Sequence, residues 1–406
     1  MSADIAFNPI DPEFRRDPFG AYAHGREQRG GRHAALPLPL FSLFRYEDIQ
    51  TVLRDHETFS NVLPRPDHVA KEIGENEAPS MLGSDPPRHD RLRGLVNSAF
   101  TPRIIQRLRP RMVEVANQLV DDAVRQGEVD LVEALSYPLP VVIIAEIIGV
   151  PTGDREQFKT WSDQIVANLG LGLLDGGDPE RARKQQAVLS ELRRYFIPLA
   201  EDRRKRPRED LLTGLVEARY EGSALNDDEM LQMLSLLLVA GNETTTTLIG
   251  NAAVELMAHP AAAQALRDDP SRIPRAVDEV LRFSAPIQFV PRWVARETQL
   301  CGERVEPGTV VLSWVASANR DERVFDRPDD FDIERSKNPY LSFGFGTHYC
   351  IGANLARLEA QVALEALLTR TRRFERSDDQ LLPLHSSPVF RSFSSIPIRL
   401  EGSATA

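Results

Sequence analysis

The sequence predicts a mainly α-helical protein with small β-sheets at one side. Three observations predict it: a very long helical pattern in the middle of the chain, two further helical patterns after it, and strand signals that are short and few. The 406 residues contain no repeat, no low-complexity block and no long Gly/Ser linker. We therefore expect one domain over residues 1–406, ending in a short polar tail at 401–406.

The central helix is the strongest of these signals. Asn226 and Glu229 have the spacing of a capping box. Apolar residues at helical spacing continue from Met230 to about His259, where Pro260 ends the pattern. At 1.5 Å per residue this helix is roughly 50 Å long, which is enough to cross the molecule.

Two other helices and four strands complete the predicted elements. A helix begins after Cys350, and its apolar face carries Leu355, Leu358 and Val362. Another helix covers about Ile273–Phe283. The strand signals lie at Leu40–Phe44, Gln288–Ala295, Thr309–Trp314 and Ser395–Leu400.

The composition excludes several classes of protein. With 60 acidic and 49 basic residues the net charge is −11, which argues against a general nucleic-acid binder. The longest apolar stretch, Leu135–Val150, is interrupted by prolines and a glutamate and is too short to span a bilayer. The N-terminus shows no targeting segment, and Cys301 and Cys350 cannot form a disulfide framework. We expect a cytoplasmic protein with no nucleic-acid or membrane partner.

The segment from Phe343 to Gly352 carries the strongest functional signal. Cys350 stands where a glycine-rich loop enters a helix, and the helix dipole and free amides there favour a thiolate. Gly346 and Gly352 leave space beside the sulfur for a flat macrocycle, and Phe343 supplies an apolar cover. A buried structural thiol in a turn is the alternative for a lone cysteine.

The spacing Phe343-x-x-Gly346-x-x-x-Cys350-x-Gly352 resembles the haem-binding signature of the cytochrome P450 family in its soluble bacterial form. The resemblance extends through nearly the whole chain. It implies the cytochrome P450 fold, with haem b (iron protoporphyrin IX) buried between the long central helix and the Cys-bearing loop and helix. Cys350 would be the axial ligand of the iron. The implied activity is that of a monooxygenase that inserts one oxygen atom from O2 into an organic substrate by hydroxylation or epoxidation.

The segment Ala240–Thr245 violates the rules for a stable helix interior. Gly241 costs up to about 1 kcal/mol relative to Ala. The hydroxyls of Thr244–Thr247 compete for carbonyls one turn back, and Glu243 brings a carboxylate into an apolar run. A solvent-exposed kink is the alternative that these residues alone leave open. The segment resembles the family's oxygen-activation motif, which implies that Thr244 hydrogen-bonds the activated oxygen and that Glu243 relays protons for O–O cleavage.

Glu279 and Arg282 stand at i and i+3 on a predicted helix. On an exposed surface such a pair stabilises a helix by only about 0.2–0.5 kcal/mol. The pair also resembles the family's E-x-x-R motif. That resemblance implies a structural network, with Arg335 as the third member, that braces the thiolate loop.

A buried haem brings two carboxylates that need partners. The segment Asp85–Arg93 resembles the family segment in which a His and an Arg one helical turn apart reach the haem propionates. It assigns this role to His89 and Arg93. Arg292 and His348 fall at two further family positions, although each of the four alone could be an exposed cation.

The resemblance also locates the substrate-facing segments. A roof would be formed by residues 61–82 and 161–174. The walls would be formed by Leu236, Val239, Ala240, Ile287, Gln288, Val290 and Phe390. Since these are mostly apolar, with Gln288 as a polar contact, we expect a small-to-medium hydrophobic substrate such as a terpenoid, a steroid or a fatty acid. An apolar stripe is also what an ordinary core presents.

Electrons must come from another protein, since the chain has no flavin or Fe–S motif. The resemblance implies a ferredoxin or flavodoxin with an NAD(P)H-dependent reductase. Because such donors are usually acidic, we expect a basic docking patch near the Cys-bearing loop. The candidates are Arg103, Arg107, Arg109 and Arg111.

Two other functions are open at the level of sequence. A peroxide-driven haem-thiolate peroxygenase would use the same cofactor, but the acid–Thr pair Glu243–Thr244 speaks against it. A haem-binding sensor without turnover would need an output or DNA-binding element, and the sequence shows neither.

Overall fold

The protein is mainly helical and contains small sheets, as predicted. The computed structural model describes residues 5, 7–33, 38–62, 80–97, 100–166 and 178–403. The α-helices are α1 (Pro12–Arg16), α2 (Phe19–Gln28), α3 (Tyr46–Arg54), α4 (Arg88–Asn97), α5 (Pro102–Gln126), α6 (Pro138–Ile148), α7 (Arg155–Val166), α8 (Pro179–Lys205), α9 (Leu211–Glu217), α10 (Asp227–Ala258), α11 (Pro260–Asp268), α12 (Ile273–Phe283), α13 (Val315–Ala318) and α14 (Ala353–Arg370). The strands are β1 (Gly30–Arg32), β2 (Leu40–Leu43), β3 (Phe59–Ser60), β4 (Glu128–Asp130), β5 (Val290–Val294), β6 (Thr298–Leu300), β7 (Glu303–Val305), β8 (Val310–Ser313), β9 (Thr371–Arg376) and β10 (Pro397–Gly402).

The central helix α10 begins and ends where local signals predict. The Asn226 side chain accepts a hydrogen bond from the Glu229 amide at 2.8 Å, and the Glu229 carboxylate accepts one from the Asn226 amide at 3.2 Å. This reciprocal pair satisfies two amides that a helix start leaves open. At the other end Pro260 prevents continuation, and α10 packs against α6, α7, α8, α12 and α14. The predicted long helix is therefore confirmed.

The strands form two small sheets and one hairpin. The larger sheet has five strands in the order β1-β2-β8-β5-β3, in which β2 and β8 run parallel and the other pairs are antiparallel. The second has the order β4-β10-β9, and β6 pairs with β7. All four predicted strand signals correspond to observed strands, namely β2, β5, β8 and β10.

A turn-rich segment near the C-terminus reaches back to the larger sheet. We call residues 383–394 the C-terminal hairpin. Its arms are joined by hydrogen bonds from the His385 amide to the Ser392 carbonyl, at 3.0 Å, and from the Ser394 amide to the Pro383 carbonyl, at 2.9 Å. Its tip pairs Phe390 with Ile287, just before β5. The hairpin thus carries side chains from the chain end to the middle of α10.

No helix within the described residue ranges is both long enough and apolar enough to span a membrane.

Candidate active site

The loop before α14 is built on glycines that hold Cys350 at its end. Gly346 has φ of 71°, and a Cβ there would lie 2.9 Å from the Leu53 carbonyl oxygen, so a side chain would not fit. The Cys350 amide donates to the Phe343 carbonyl at 2.9 Å, which closes the loop. A Cβ on Gly352 would lie 3.9 Å from the Cys350 sulfur. The predicted loop-to-helix position of the thiol is therefore observed.

Opposing effects act on the pKa of the Cys350 thiol. Burial raises this pKa, and it outweighs the amides of Gly352 and Ala353 and the positive charges of Arg93 and Arg357, which lower it. The amides at the start of the helix therefore favour the thiolate, as predicted, but they are not sufficient in the polypeptide by itself. A metal cation beside the sulfur reverses this balance, because a coordinating thiol is deprotonated.

Two imidazoles meet on one side of this loop. The rings of His89, on α4, and His348 have centroids 4.2 Å apart. The Nε2 atoms of both are buried and have no hydrogen-bond partner among the described residues. Buried polar atoms in proteins are nearly always paired, so this pair indicates a place for a polar ligand.

Two guanidinium groups surround the imidazole pair. Arg93 donates to the Thr347 carbonyl at 3.1 Å. Arg292 is buried, and burial lowers its pKa to about 10, although the Asp85 carboxylate opposes this. The pKa of His348 is lowered to about 3 by burial and then by the positive charges of His89, Arg292, Arg93 and His56. The four predicted anchors are thus together, and the positive charges of the two arginines beside the two imidazoles fit a ligand with two carboxylates.

The polar segment of α10 is a continuous helix in which Asn242, Glu243 and Thr245 are buried. The Thr244 hydroxyl donates to the Ala240 carbonyl at 2.7 Å, and the Thr247 hydroxyl donates to the Glu243 carbonyl at 2.8 Å. These are the competing bonds that the sequence predicts. Glu243 is only 8% exposed, so the alternative of a solvent-exposed kink is wrong.

The Glu243 carboxyl lies among groups from its own helix and from two other parts of the chain, α7 and the C-terminal hairpin. Its pKa is raised to about 7, by burial first and then by the negative charge of Asp163 on α7, against the hydroxyls of Ser392 and Thr247, which lower it. The His385 Nε2 atom is 3.9 Å from Glu243 Oε1. A carboxyl whose pKa is near neutrality can both take up and give away a proton at physiological pH.

One face of α10 keeps accessible surface although its surroundings are buried. Between residues 233 and 253 every residue is buried except five, and these follow helical spacing. The five are Leu236, Val239, Ala240, Gly241 and Thr244. We call them the accessible stripe. It contains the three predicted wall residues and ends at the threonine of the oxygen-activation motif.

The other predicted wall residues lie beside the C-terminal hairpin, with one correction. Ile287 and Val290 are half-buried, and Phe390 forms the bridge to Ile287. Gln288 is 6% exposed, and its amide is already engaged: Oε1 accepts from the Tyr22 hydroxyl at 3.0 Å, and Nε2 donates to the Ala285 carbonyl at 2.7 Å. Gln288 is therefore a structural amide here, and the prediction of a polar substrate contact does not hold. The predicted roof at 63–79 and 167–174, and the end of the tail at 404–406, lie outside the described residues.

The three charged residues of the predicted structural network do meet. Arg282 Nη2 is 2.7 Å from Glu279 Oε1, and both side chains are almost fully buried. Arg335 Nε is 3.1 Å from Glu279 Oε2. Arg282 also donates to the carbonyls of Asn319 and Pro328 at 3.1 and 2.7 Å. Each charge therefore has several partners, which a buried ion pair requires.

Sequence reasoning missed one buried acid beneath α10. Glu359, on α14, is fully enclosed, and burial raises its pKa well above the ordinary value, opposed by a hydrogen bond with Thr245. It lies on the apolar face predicted from Leu355 and Leu358. The presence of a glutamate on an otherwise apolar helix face is the sequence signal that could have identified this buried acid.

The proposed basic patch on α5 is smaller than predicted. Arg109 donates to the Glu365 carboxylate at 2.7 Å, and Arg111 lies 2.9 Å from Glu146. These two are engaged within the molecule, whereas Arg103 and Arg107 are exposed. The helix that carries these two arginines packs along α14, which begins just after the Cys-bearing loop.

Comparison with known proteins decides the family. Residues 32–395 match the family model described as cytochrome P450.

The chain belongs to the cytochrome P450 family.

Several relatives and solved structures resemble this P450 over almost their whole length. It is 42% identical to an erythromycin C-12 hydroxylase of Saccharopolyspora erythraea, over 84% of this chain and 85% of that protein. The structure of cytochrome P450 CYP109Q5 from Chondromyces apiculatus is 37% identical with a TM-score of 0.87 and covers 100% of both chains. CYP109E1 from Bacillus megaterium in complex with testosterone is 33% identical with a TM-score of 0.83, covering 94% of this chain and 99% of that one.

These comparisons confirm the fold class and the class of enzyme. The protein has the cytochrome P450 fold and is a haem-thiolate monooxygenase, as the motif around Cys350 predicts. The roles of individual residues rest on the geometry described above.

Proposed function

We propose that this P450 hydroxylates or epoxidises a largely apolar substrate, of about steroid to macrolide size, with one oxygen atom from O2. The accessible stripe on α10 carries the proposal. It presents apolar side chains next to the Thr244 hydroxyl, in a stretch of helix, residues 233–253, whose other residues are buried. The erythromycin hydroxylase and the testosterone complex among the relatives support this range of sizes.

The haem would be held by residues whose chemistry fits it. Cys350 would ligate the iron, and the buried, unpaired Nε2 atoms of His89 and His348 would pair with the propionates together with Arg93 and Arg292. When bound, the haem supplies the activation of O2. The network of Glu279, Arg282 and Arg335 would brace the loop that carries the thiol.

Protons would reach the reaction through α10. The Thr244 hydroxyl gives its own proton to the Ala240 carbonyl, so its oxygen offers lone pairs that hold a proton-donating partner on the accessible stripe. Glu243 is the adjacent acid, and because its pKa is about 7 its carboxylate can take up a new proton from solvent after each proton that it donates. Thr244 thus orients the proton-donating partner, and Glu243 supplies the protons.

Electrons would come from a ferredoxin or flavodoxin with its NAD(P)H-dependent reductase. An acidic donor would approach the exposed guanidinium groups of Arg103 and Arg107 on α5, a helix that packs along α14. Arg109 and Arg111 would stabilise the helix that presents them.

The test is an absorption titration of the ferric, haem-loaded protein against steroids, macrolides, terpenoids and fatty acids. We expect one class to shift the Soret band by displacing water at the haem. Ala240→Leu should weaken that response at least tenfold by filling the stripe. Ala258→Leu, at an exposed alanine at the end of the same helix, should leave it unchanged. No response from any class, or equal effects of the two variants, contradicts the proposed pocket.

Turnover separates the proposal from its rivals. With a ferredoxin system, NAD(P)H and a responding compound, we expect an oxygenated product, and Glu243→Gln and Thr244→Ala should divert electrons from product to peroxide. Product formed with added peroxide and unaffected by either variant would indicate a peroxygenase. Binding without product under both conditions would indicate a sensor.

A further inference from the structure

Glu243 has a neighbour that the acid–threonine motif does not contain. His385 belongs to the C-terminal hairpin, more than a hundred residues from Glu243 in the chain, and its Nε2 atom faces Glu243 Oε1 at 3.9 Å. Its cross-strand partner in the hairpin is Ser392, whose hydroxyl also faces the carboxyl. The hairpin therefore presents two side chains to the same acid.

The tautomer of His385 follows from its hydrogen bonds. The Ser387 amide donates to His385 Nδ1 at 3.2 Å, so Nδ1 must be an acceptor without a proton. Burial and the positive charge of Arg15 lower the pKa of His385, which keeps the ring neutral at pH 7. The one ring proton is therefore on Nε2, which is the atom that faces Glu243.

The backbone around His385 is fixed by an arginine from the other end of the chain. Arg15, on α1, donates through Nη2 to the carbonyls of His385 and, at 2.8 Å, Ser387, and through Nη1 to the carbonyl of Ser386 at 3.2 Å. Three consecutive carbonyls bound to one guanidinium leave this arm little freedom to turn. Arg16 instead donates to the carbonyl of Leu382, the residue just before the hairpin, at 3.0 Å.

We propose that His385 is a positioning residue for Glu243, presenting its Nε2–H to the Oε1 oxygen, and that Arg15 holds His385 in this orientation. The inference rests on the proposed proton-relay role of Glu243. A small rotation of the Glu243 side chain, or one bridging water, closes the 3.9 Å gap to a hydrogen bond. His385 then favours the charged carboxylate and draws it toward the hairpin, from which it can turn back to Thr244 once protonated.

The direction of the effect can be worked out from the groups around the carboxyl. Burial and Asp163 raise the Glu243 pKa, and Ser392 and Thr247 lower it. Asp163 itself accepts from the Tyr137 hydroxyl at 2.9 Å, and Arg15 is the positive charge that acts on His385. A neutral donor on Oε1 stabilises the charged form, so removing it must raise the Glu243 pKa. A hydrogen bond of ordinary strength corresponds to about half to one pH unit.

The experiment measures Glu243 directly, without turnover. Infrared spectra of the ferric holoenzyme are recorded across a pH series, and the carboxylic acid band of Glu243 is assigned by its loss in Glu243→Gln. His385→Phe should move the midpoint of this band upward by about half to one pH unit. His385→Gln, whose amide nitrogen can replace Nε2–H, should keep the midpoint near that of the wild type. An unmoved or lowered midpoint in His385→Phe overturns the proposal.

Substitution of Arg15 provides a second, independent test, and substitution of Arg16 is its matched control. Arg15→Ala should raise the midpoint in the same direction, whereas Arg16→Ala should not, and Arg15→Ala should add little to His385→Phe. If His385→Phe does not fold, the comparison of the two arginine variants decides, and equal midpoints for them contradict the proposal. If Glu243→Gln still directs its electrons to product and not to peroxide, only the proton-relay role of Glu243 is refuted. The effect of His385 on the Glu243 band is measured separately, because the band midpoint does not depend on turnover.

Discussion

His89 and His348 lie with their ring centroids 4.2 Å apart, and their buried Nε2 atoms have no partner among the described residues. Both rings stand beside the guanidinium groups of Arg93 and Arg292, so four groups that attract anions share one site. A polypeptide gains no stability from such an arrangement alone, since each buried cation loses its hydration. A ligand with two carboxylates would reverse this cost, and the haem propionates have that chemistry.

Removing one anchor should therefore accelerate haem loss. For Arg292→Ala we expect transfer of haem to an excess of a haem-free acceptor protein to become about 10- to 100-fold faster, since charged hydrogen bonds contribute about 1.5–3 kcal/mol. Arg304→Ala removes an exposed arginine from β7 and should leave the rate unchanged. Equal rates in the two variants would show that Arg292 does not hold the cofactor.

Replacing the thiol should abolish thiolate ligation. In Cys350→Ala, the reduced protein exposed to carbon monoxide should lack the red-shifted absorption band of a thiolate-bound haem, because no other described cysteine lies in the loop. Cys301→Ala is the matched control, since that thiol donates to the Arg29 carbonyl at 3.0 Å instead. Persistence of the band in Cys350→Ala would refute the assigned ligand.

The buried ion pair should dominate the stability of the region behind the loop. Arg282→Ala leaves the Glu279 charge buried, and breaking such pairs costs about 3–5 kcal/mol in the free energy of unfolding. Arg272→Ala removes a more exposed pair with Glu334 and should cost less than about 1 kcal/mol. Denaturant titration of the holoprotein measures both, and similar losses would argue against a structural role for Arg282.

Local signals predicted the elements that position the site. The limits of α10 and α12 follow from a capping box, from Pro260 and from amphipathic spacing, all of which act within a few residues. The α8 helix was not predicted, because most of its surface is polar and it contains Pro198. Resemblance to the family's motifs pointed to Cys350 and to the four basic residues near it, and the structure brings these four residues together.

Contacts between distant segments could not be predicted from the sequence. Gln288 looked available until the fold placed Tyr22 against its amide. Arg109 looked free until α14 brought Glu365 to it. The groups that set the properties of Glu243 come from α7 and the C-terminal hairpin, and no local pattern connects them to α10. Such pairings depend on tertiary packing, which neither periodicity nor propensity encodes.

The raised pKa of Glu243 should make the protein less stable as pH rises. The folded state holds a proton on Glu243 up to about pH 7, whereas an ordinary glutamate in the unfolded chain releases it near 4.5. Between these values the folded state binds more protons than the unfolded state, so the free energy of unfolding falls with increasing pH. Relative to Glu243→Gln, the wild type should lose about 3 kcal/mol across this window and no more above it.

Thermal melting of the holoproteins from about pH 5 to about pH 8 tests this expectation. The melting temperature of Glu243→Gln should rise above that of the wild type as pH increases. Glu156→Gln, at an exposed carboxyl on α7, corrects for the loss of one negative charge from the whole protein. A constant difference between wild type and Glu243→Gln at all pH values would mean that Glu243 is ionised throughout, and it could then not supply protons at neutral pH.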